Sequence, residues 1–213
     1  MSPFTRHLTF QSNDLGKEVT IMFALVDDNM KSLYKDRFPV VWKVSKFGKS
    51  GAYRAQATYT NQLAFSKAQV THWNFISAGT SVKVNVGQKT TLTEADDVFS
   101  FSSPQQGSSG FVQALNNTGV IQDIAVGFLN KGDLMPTPAL YFDDVGDGSH
   151  VTAQFTPILR VYITSDYQET AIIRSAIETP VIWSQDLSGL AEHTNWNLTR
   201  DGVTGRYKIV RAS

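Results

Sequence analysis

From Val151 to Ile163 every odd position is apolar: Val151, Ala153, Phe155, Pro157, Leu159, Val161 and Ile163. The even positions are mostly polar, with Thr152, Gln154, Thr156, Arg160 and Tyr162 against a single Ile158. A period of two predicts a β-strand with one buried face. The run before it, Asp143-Asp144-Val145-Gly146-Asp147-Gly148-Ser149, is turn chemistry. The same grammar recurs along the chain. Tyr53, Ala55, Ala57 and Tyr59 alternate with Arg54, Gln56, Thr58 and Thr60, and Val82, Val84 and Val86 alternate with Lys83 and Asn85. Val19 to Val26 is apolar in both phases, as a strand covered on both faces would be.

These runs predict an all-β chain, an antiparallel β-sandwich of jelly-roll or immunoglobulin-like type with about eight to ten strands. A closed barrel is the alternative. The strand grammar continues on both sides of the Ser/Gln/Gly-rich stretch 102–110, so residues 1–213 are read as one domain. Phe111–Leu115, the Asn116-Asn117-Thr118-Gly119 turn and Val120–Leu129 read as a hairpin, and so do residues 196–210. One short helix is expected near 165–178. Ser165 and Gln168 form a capping-box pattern, Ala171, Ile172, Ala176 and Ile177 follow at helical spacing, and Pro180 ends it.

Lysine plus arginine and aspartate plus glutamate number 19 each, for a formal net charge of zero. That balance argues against nucleic acid as a partner and makes self-association into a homo-oligomer easy. The absence of cysteine removes disulfides, zinc–thiolate centres and thiol nucleophiles. The first residues lack the apolar core of a signal peptide, and no apolar run is long enough for a membrane helix, so a cytoplasmic protein is expected.

Motifs for catalysis are missing: there is no Gly-x-Ser-x-Gly elbow, no phosphate-binding glycine loop and no closely spaced histidine pair. No catalytic residue is assigned, and no cofactor is expected apart from calcium. Asp143, Asp144 and Asp147 are its candidate ligands, because oxygen-rich clusters suit that ion. The doublets Asp27-Asp28, Asp96-Asp97 and Asp143-Asp144 each close a strand run. They either converge on a cation or serve as strand-ending turns. Trp73 with Asn74, and Trp196 with Asn195 and Asn197, combine a stacking ring with amides, the residue types of a carbohydrate pocket.

The phrases Pro39-Val40-Val41-Trp42-Lys43-Val44 and Phe23-Ala24-Leu25-Val26-Asp27-Asp28 resemble uncharacterised, cysteine-poor β-rich proteins of fungi and bacteria. That group has no assigned function, so the resemblance implies none here. The functional expectation rests on the residues. It is a non-enzymatic, lectin-like binding protein that takes a glycan or another surface ligand through loops at one pole of a sandwich. Two alternatives are a membrane-acting, pore-forming β-protein contacting lipid through the 165–178 helix, and a metal-dependent enzyme using strand-end His and Asp.

Overall fold

The computed structural model describes residues 3–26, 33–72 and 74–212. Its first strands are β1 (Thr5–Asn13), β2 (Val19–Leu25), β3 (Phe38–Pro39), β4 (Val41–Phe47) and β5 (Ala52–Thr60). The middle of the chain supplies β6 (Leu63–Thr71), β7 (Phe75–Val84), β8 (Gln88–Ala95), β9 (Val98–Phe101), β10 (Gln105–Gln106), β11 (Val112–Asn117), β12 (Gln122–Phe128), β13 (Thr137–Val145) and β14 (His150–Ala153). It ends with β15 (Ile158–Ile163), β16 (Val181–Asp186), β17 (His193–Arg200) and β18 (Tyr207–Arg211). Among the described residues the strands form four open sheets and no barrel. Their orders are β18-β17-β1-β5, β16-β15-β2-β4, β3-β13-β12-β6-β7 and β10-β8-β11-β14, with β9 added on β8. Pairing is antiparallel except for β1 with β17 and β8 with β11.

Two sandwiches result. The chain's two ends build a terminal sandwich around Leu8, Phe10, Ile21, Phe23, Leu159, Val161, Trp183 and Trp196. Phe10 lies at its centre, edge-on to Phe23 (ring centroids 4.9 Å apart) and to Trp183 (5.4 Å). Residues 63–153 contribute most of a middle sandwich around Phe65, Leu92, Ala114, Ile124, Val126, Phe142 and Val151. Removing one such buried phenylalanine to alanine typically costs about 3–5 kcal/mol.

The Val151–Ile163 run is two strands rather than one. β14 belongs to the middle sandwich and β15 to the terminal one, with an unpaired stretch at 154–157 between them. Most of the odd residues stay on the inward side of both strands. Val151 and Ala153 enter one core, Leu159 and Val161 the other, and Phe155 packs against both. Pro157 has no N–H for a ladder, which suits the crossing point.

Residues 111–129 are likewise no hairpin. β11 pairs with β8 and β14, and β12 pairs with β6 and β13, so the Thr118–Ile121 connection arches from one sheet to the facing one. Asn116 holds the arch. Its side chain is fully buried, and its amide donates to the carbonyls of Val120 (2.7 Å) and Val145 (2.8 Å). Its side-chain oxygen accepts from the Thr118 N–H (3.2 Å) and hydroxyl (2.9 Å).

The expected helix near 165–178 is absent; the one helical turn among the described residues is a short 3₁₀ turn at Leu187–Gly189. Residues 170–173 instead form a strap between the two sandwiches, turned at Thr170 and bridged on both sides at Ala171 and Ile172. The Thr170 N–H donates to the Val41 carbonyl (2.9 Å) and the Val41 N–H to the Ala171 carbonyl (2.9 Å). On the other side, the Ile172 N–H donates to the Asn74 carbonyl (2.8 Å) and the Ile76 N–H to the Thr170 carbonyl (3.1 Å). Ala171 and Ile173 pack with Met22, Ala24 and Tyr162, whereas Ile172 packs with Phe38, Ala68 and Tyr141. This is strand alternation, and it also explains why β2 is apolar in both phases: Ile21 and Phe23 face the terminal core, Met22 and Ala24 the strap. Two adjacent β-branched-rich positions favour the extended form, and Thr170 breaks any helix by sitting at φ 65°. The amphipathic helix on which a lipid-contact reading depended is therefore not there. No helix among the described residues is long and apolar enough to cross a membrane.

Candidate functional site

The outer face of the β18-β17-β1-β5 sheet is polar because β1, β5 and β17 each send one phase inward and the other out. Leu8 and Phe10 point into the core, which leaves His7, Thr9, Gln11 and Asn13 outside. Register then sets these residues in rows across the strands. Thr58, His7 and His193 form one row, Gln56, Thr9 and Asn195 the next, and Arg54, Gln11, Asn197 and Val210 a third. Neighbours within a row are about 4.8 Å apart and successive rows about 7 Å apart. The Gln11 side-chain amide donates to the Asn197 side-chain carbonyl at 2.9 Å. Around that third row runs a groove of about 660 Å³, lined chiefly by Gln11, Asn13, Tyr53, Arg54, Asn197 and Thr199. Tyr53, though 41% exposed, pairs with Ser12 in the inward phase and lays its ring over Gly48, away from the Gln11–Asn197 row.

The expected ligand residues are dispersed by this arrangement. Asn195 and Asn197 both sit on the polar face, on a sheet surface rather than in loops at a pole. Trp196 points the other way. It is buried in the terminal core against Trp183 (ring centroids 4.8 Å), and its indole N–H donates to the Thr194 hydroxyl (3.0 Å). It cannot stack on a ligand, because strand alternation places it opposite its two asparagine neighbours. Asn74 lies in the β6–β7 turn on a different sheet, where its carbonyl holds the strap. Trp73 lies outside the described residues.

Asp143, Asp144 and Asp147 do not assemble a calcium cage. Asp143 faces Arg174 at 3.6 Å. Partial burial, then the neighbouring Asp144, raise its carboxyl above the usual range despite that cation. Asp144 occupies a register shift opposite Asp123, at φ 50°, and its N–H donates to the Asp123 carboxylate (3.2 Å). The Asp147 carboxylate accepts from the Gly119 N–H at 2.9 Å and pins the Asn116 arch. The doublet Asp96-Asp97 is turn chemistry as well. It joins β8 to β9 between the paired residues Ala95 and Val98, with both aspartates at positive φ (51° and 62°). That is a type I′ turn, which aspartate tolerates and Asn-Gly prefers. Asp27-Asp28 lies outside the described residues. Changing Asp96→Asn together with Asp97→Gly is expected to stabilise the chain by about 1 kcal/mol in a denaturant melt. A loss of stability would mean that the two carboxylates do more than turn the chain.

Another grouping escaped the sequence reading. The parallel ladder between β1 and β17 makes His7 and His193 direct partners. Their rings stack at 4.7 Å with 18° between planes. The His7 N–H donates to the Glu192 carbonyl (2.6 Å), the Glu192 carboxylate lies 3.7 Å from His193 Nε2, and His7 Nδ1 is 3.1 Å from the Thr58 hydroxyl. No local signal announces this, since the two histidines stand near opposite ends of the sequence. His72 and His150, both exposed, sit apart in a turn and at the start of β14. Compared with known protein families, with curated proteins and with solved structures, the chain matches none.

Proposed function

We propose that this chain is a non-enzymatic binding protein that takes a glycan on the outer face of the β18-β17-β1-β5 sheet. The observation that carries this reading is the groove around the Gln11–Asn197 pair. Its lining presents amides, hydroxyls and one guanidinium. Amides and hydroxyls both donate and accept hydrogen bonds, as sugar hydroxyls do. No carboxylate or imidazole lines that groove, so its chemistry fits holding a ligand better than transferring a proton.

The test is a glycan array followed by titration of the best hit. Asn197→Ala and Arg54→Ala are each expected to weaken binding by at least about 10-fold, or about 1.4 kcal/mol, with unchanged melting of the free protein. The absence of any glycan hit, or a hit indifferent to both changes, would overturn the reading.

A further inference from the structure

We propose that His7, Glu192 and His193 form a site for one divalent transition-metal ion, with zinc as the probe. This goes beyond glycan binding and stands or falls separately from it. One ligand atom from each of the three residues lies within 4.8 Å of the others. Two imidazoles and a carboxylate are the donor set of zinc, nickel and copper sites, and nitrogen donors disfavour calcium and magnesium.

The three residues differ in mobility in a way that suits capture of an ion. His7 is half-buried and held from two sides, by its backbone bond to Glu192 and by the Thr58 hydroxyl at Nδ1. In the tautomer whose Nδ1–H donates to the Thr58 hydroxyl, the lone pair of His7 sits on Nε2, ready to ligate. A second partner of this kind fixes the ring and its tautomer in metal sites. The side chains of His193 and Glu192 are 75% and 69% exposed. Both are free enough to rotate, His193 giving up only its stack on His7. Metal–ligand bonds of about 2.0–2.2 Å require the donors to close to roughly 3.3 Å from one another, and rotation of these two side chains supplies that closure. Three protein ligands leave a further coordination position for water or a bound molecule.

The test uses the untagged full chain, stripped with chelator and titrated with zinc sulfate near neutral pH by calorimetry. One zinc per chain is expected. His7→Ala and His193→Ala should each weaken it by at least about 10-fold, and Thr58→Val, which removes only the orienting hydroxyl, by about 10-fold. His72→Ala and His150→Ala should leave it unchanged. Zinc should also raise the melting temperature of the parent chain and not that of His193→Ala, which shows at the same time that the variant folds. No binding tighter than about 1 mM, binding indifferent to His7→Ala and His193→Ala, or an equal thermal shift with calcium chloride would overturn the proposal.

Discussion

Replacing Asn116 with aspartate is expected to cost about 3–5 kcal/mol and to leave little folded protein at neutral pH. The change swaps one NH2 group for an oxygen and alters shape very little. The NH2 it removes donates to two carbonyls, Val120 and Val145, in a fully buried position. An ionised carboxylate there would face two carbonyl oxygens with no cation at hand, and a buried charge without a partner is among the most expensive substitutions known. Asn116→Ala should be milder, since it leaves unpaired groups but no charge. Burial would raise the new carboxyl's pKa in the folded state. The loss should therefore be smaller in acid, where the protonated acid keeps one donor, and grow as pH rises. Chemical denaturation of both variants at acidic and neutral pH measures this. An Asn116→Asp chain within about 1 kcal/mol of the parent would show that the arch is not held by its asparagine.

A second large loss is expected from Gly127→Ala. Gly127 sits within β12, in the middle of its sheet, at a register shift against β13. A Cβ built there would overlap the Thr137 carbonyl, 2.8 Å from its carbon and 2.9 Å from Pro138 Cα. Every one of these atoms is backbone, so no side-chain rotation relieves the contact. β12 is flanked by β6 and β13, so it cannot move aside without breaking a ladder. Destabilisation of about 3 kcal/mol or more follows, seen as a melting temperature lower by roughly 6–12 °C in a chain of this size. Gly16→Ala is the control on the surface, because open space surrounds its Cβ position. It carries only the strain of its positive φ, so a loss at Gly127 no larger than at Gly16 would refute the steric account.

The all-β class was legible because alternation records which face is buried, and it does so wherever the face leads. That same property hid the crossing at 154–157. Phe155 is apolar and inward on both sides of the break, so the period of two runs unbroken through a change of sandwich. Ala171 and Ile172 misled for a related reason. Buried on both faces of a strap, they lose the alternation that marks a strand, and the nearby Ala176 and Ile177 then complete a helical spacing. The Asn116 turn was visible as a turn. Whether a turn joins neighbours in one sheet or arches to the facing sheet depends on pairing partners far away in sequence.

At the polar face, local reading found Asn195 and Asn197 but grouped them with Trp196, which alternation sends inward. Gln11, Arg54 and the His7–His193 pair were out of reach, because their meeting depends on the pairing of β1 with β17 and with β5. Nothing within a single segment encodes which distant strand will lie beside it.

That pairing also sets a timetable for biosynthesis. At about 5–20 residues per second, β17 leaves the ribosome roughly 10–40 s after β1. The middle sandwich, drawn mostly from residues 63–153, completes its strands first and in nearly contiguous order. Throughout that interval β1 and β2 wait with Phe10 and Phe23 uncovered by β15, β16 and β17. The nascent chain thus carries a strand-complete middle sandwich preceded by an adhesive, half-built terminal one. A stalled or truncated transcript would release that species, and its exposed edge, to the cell.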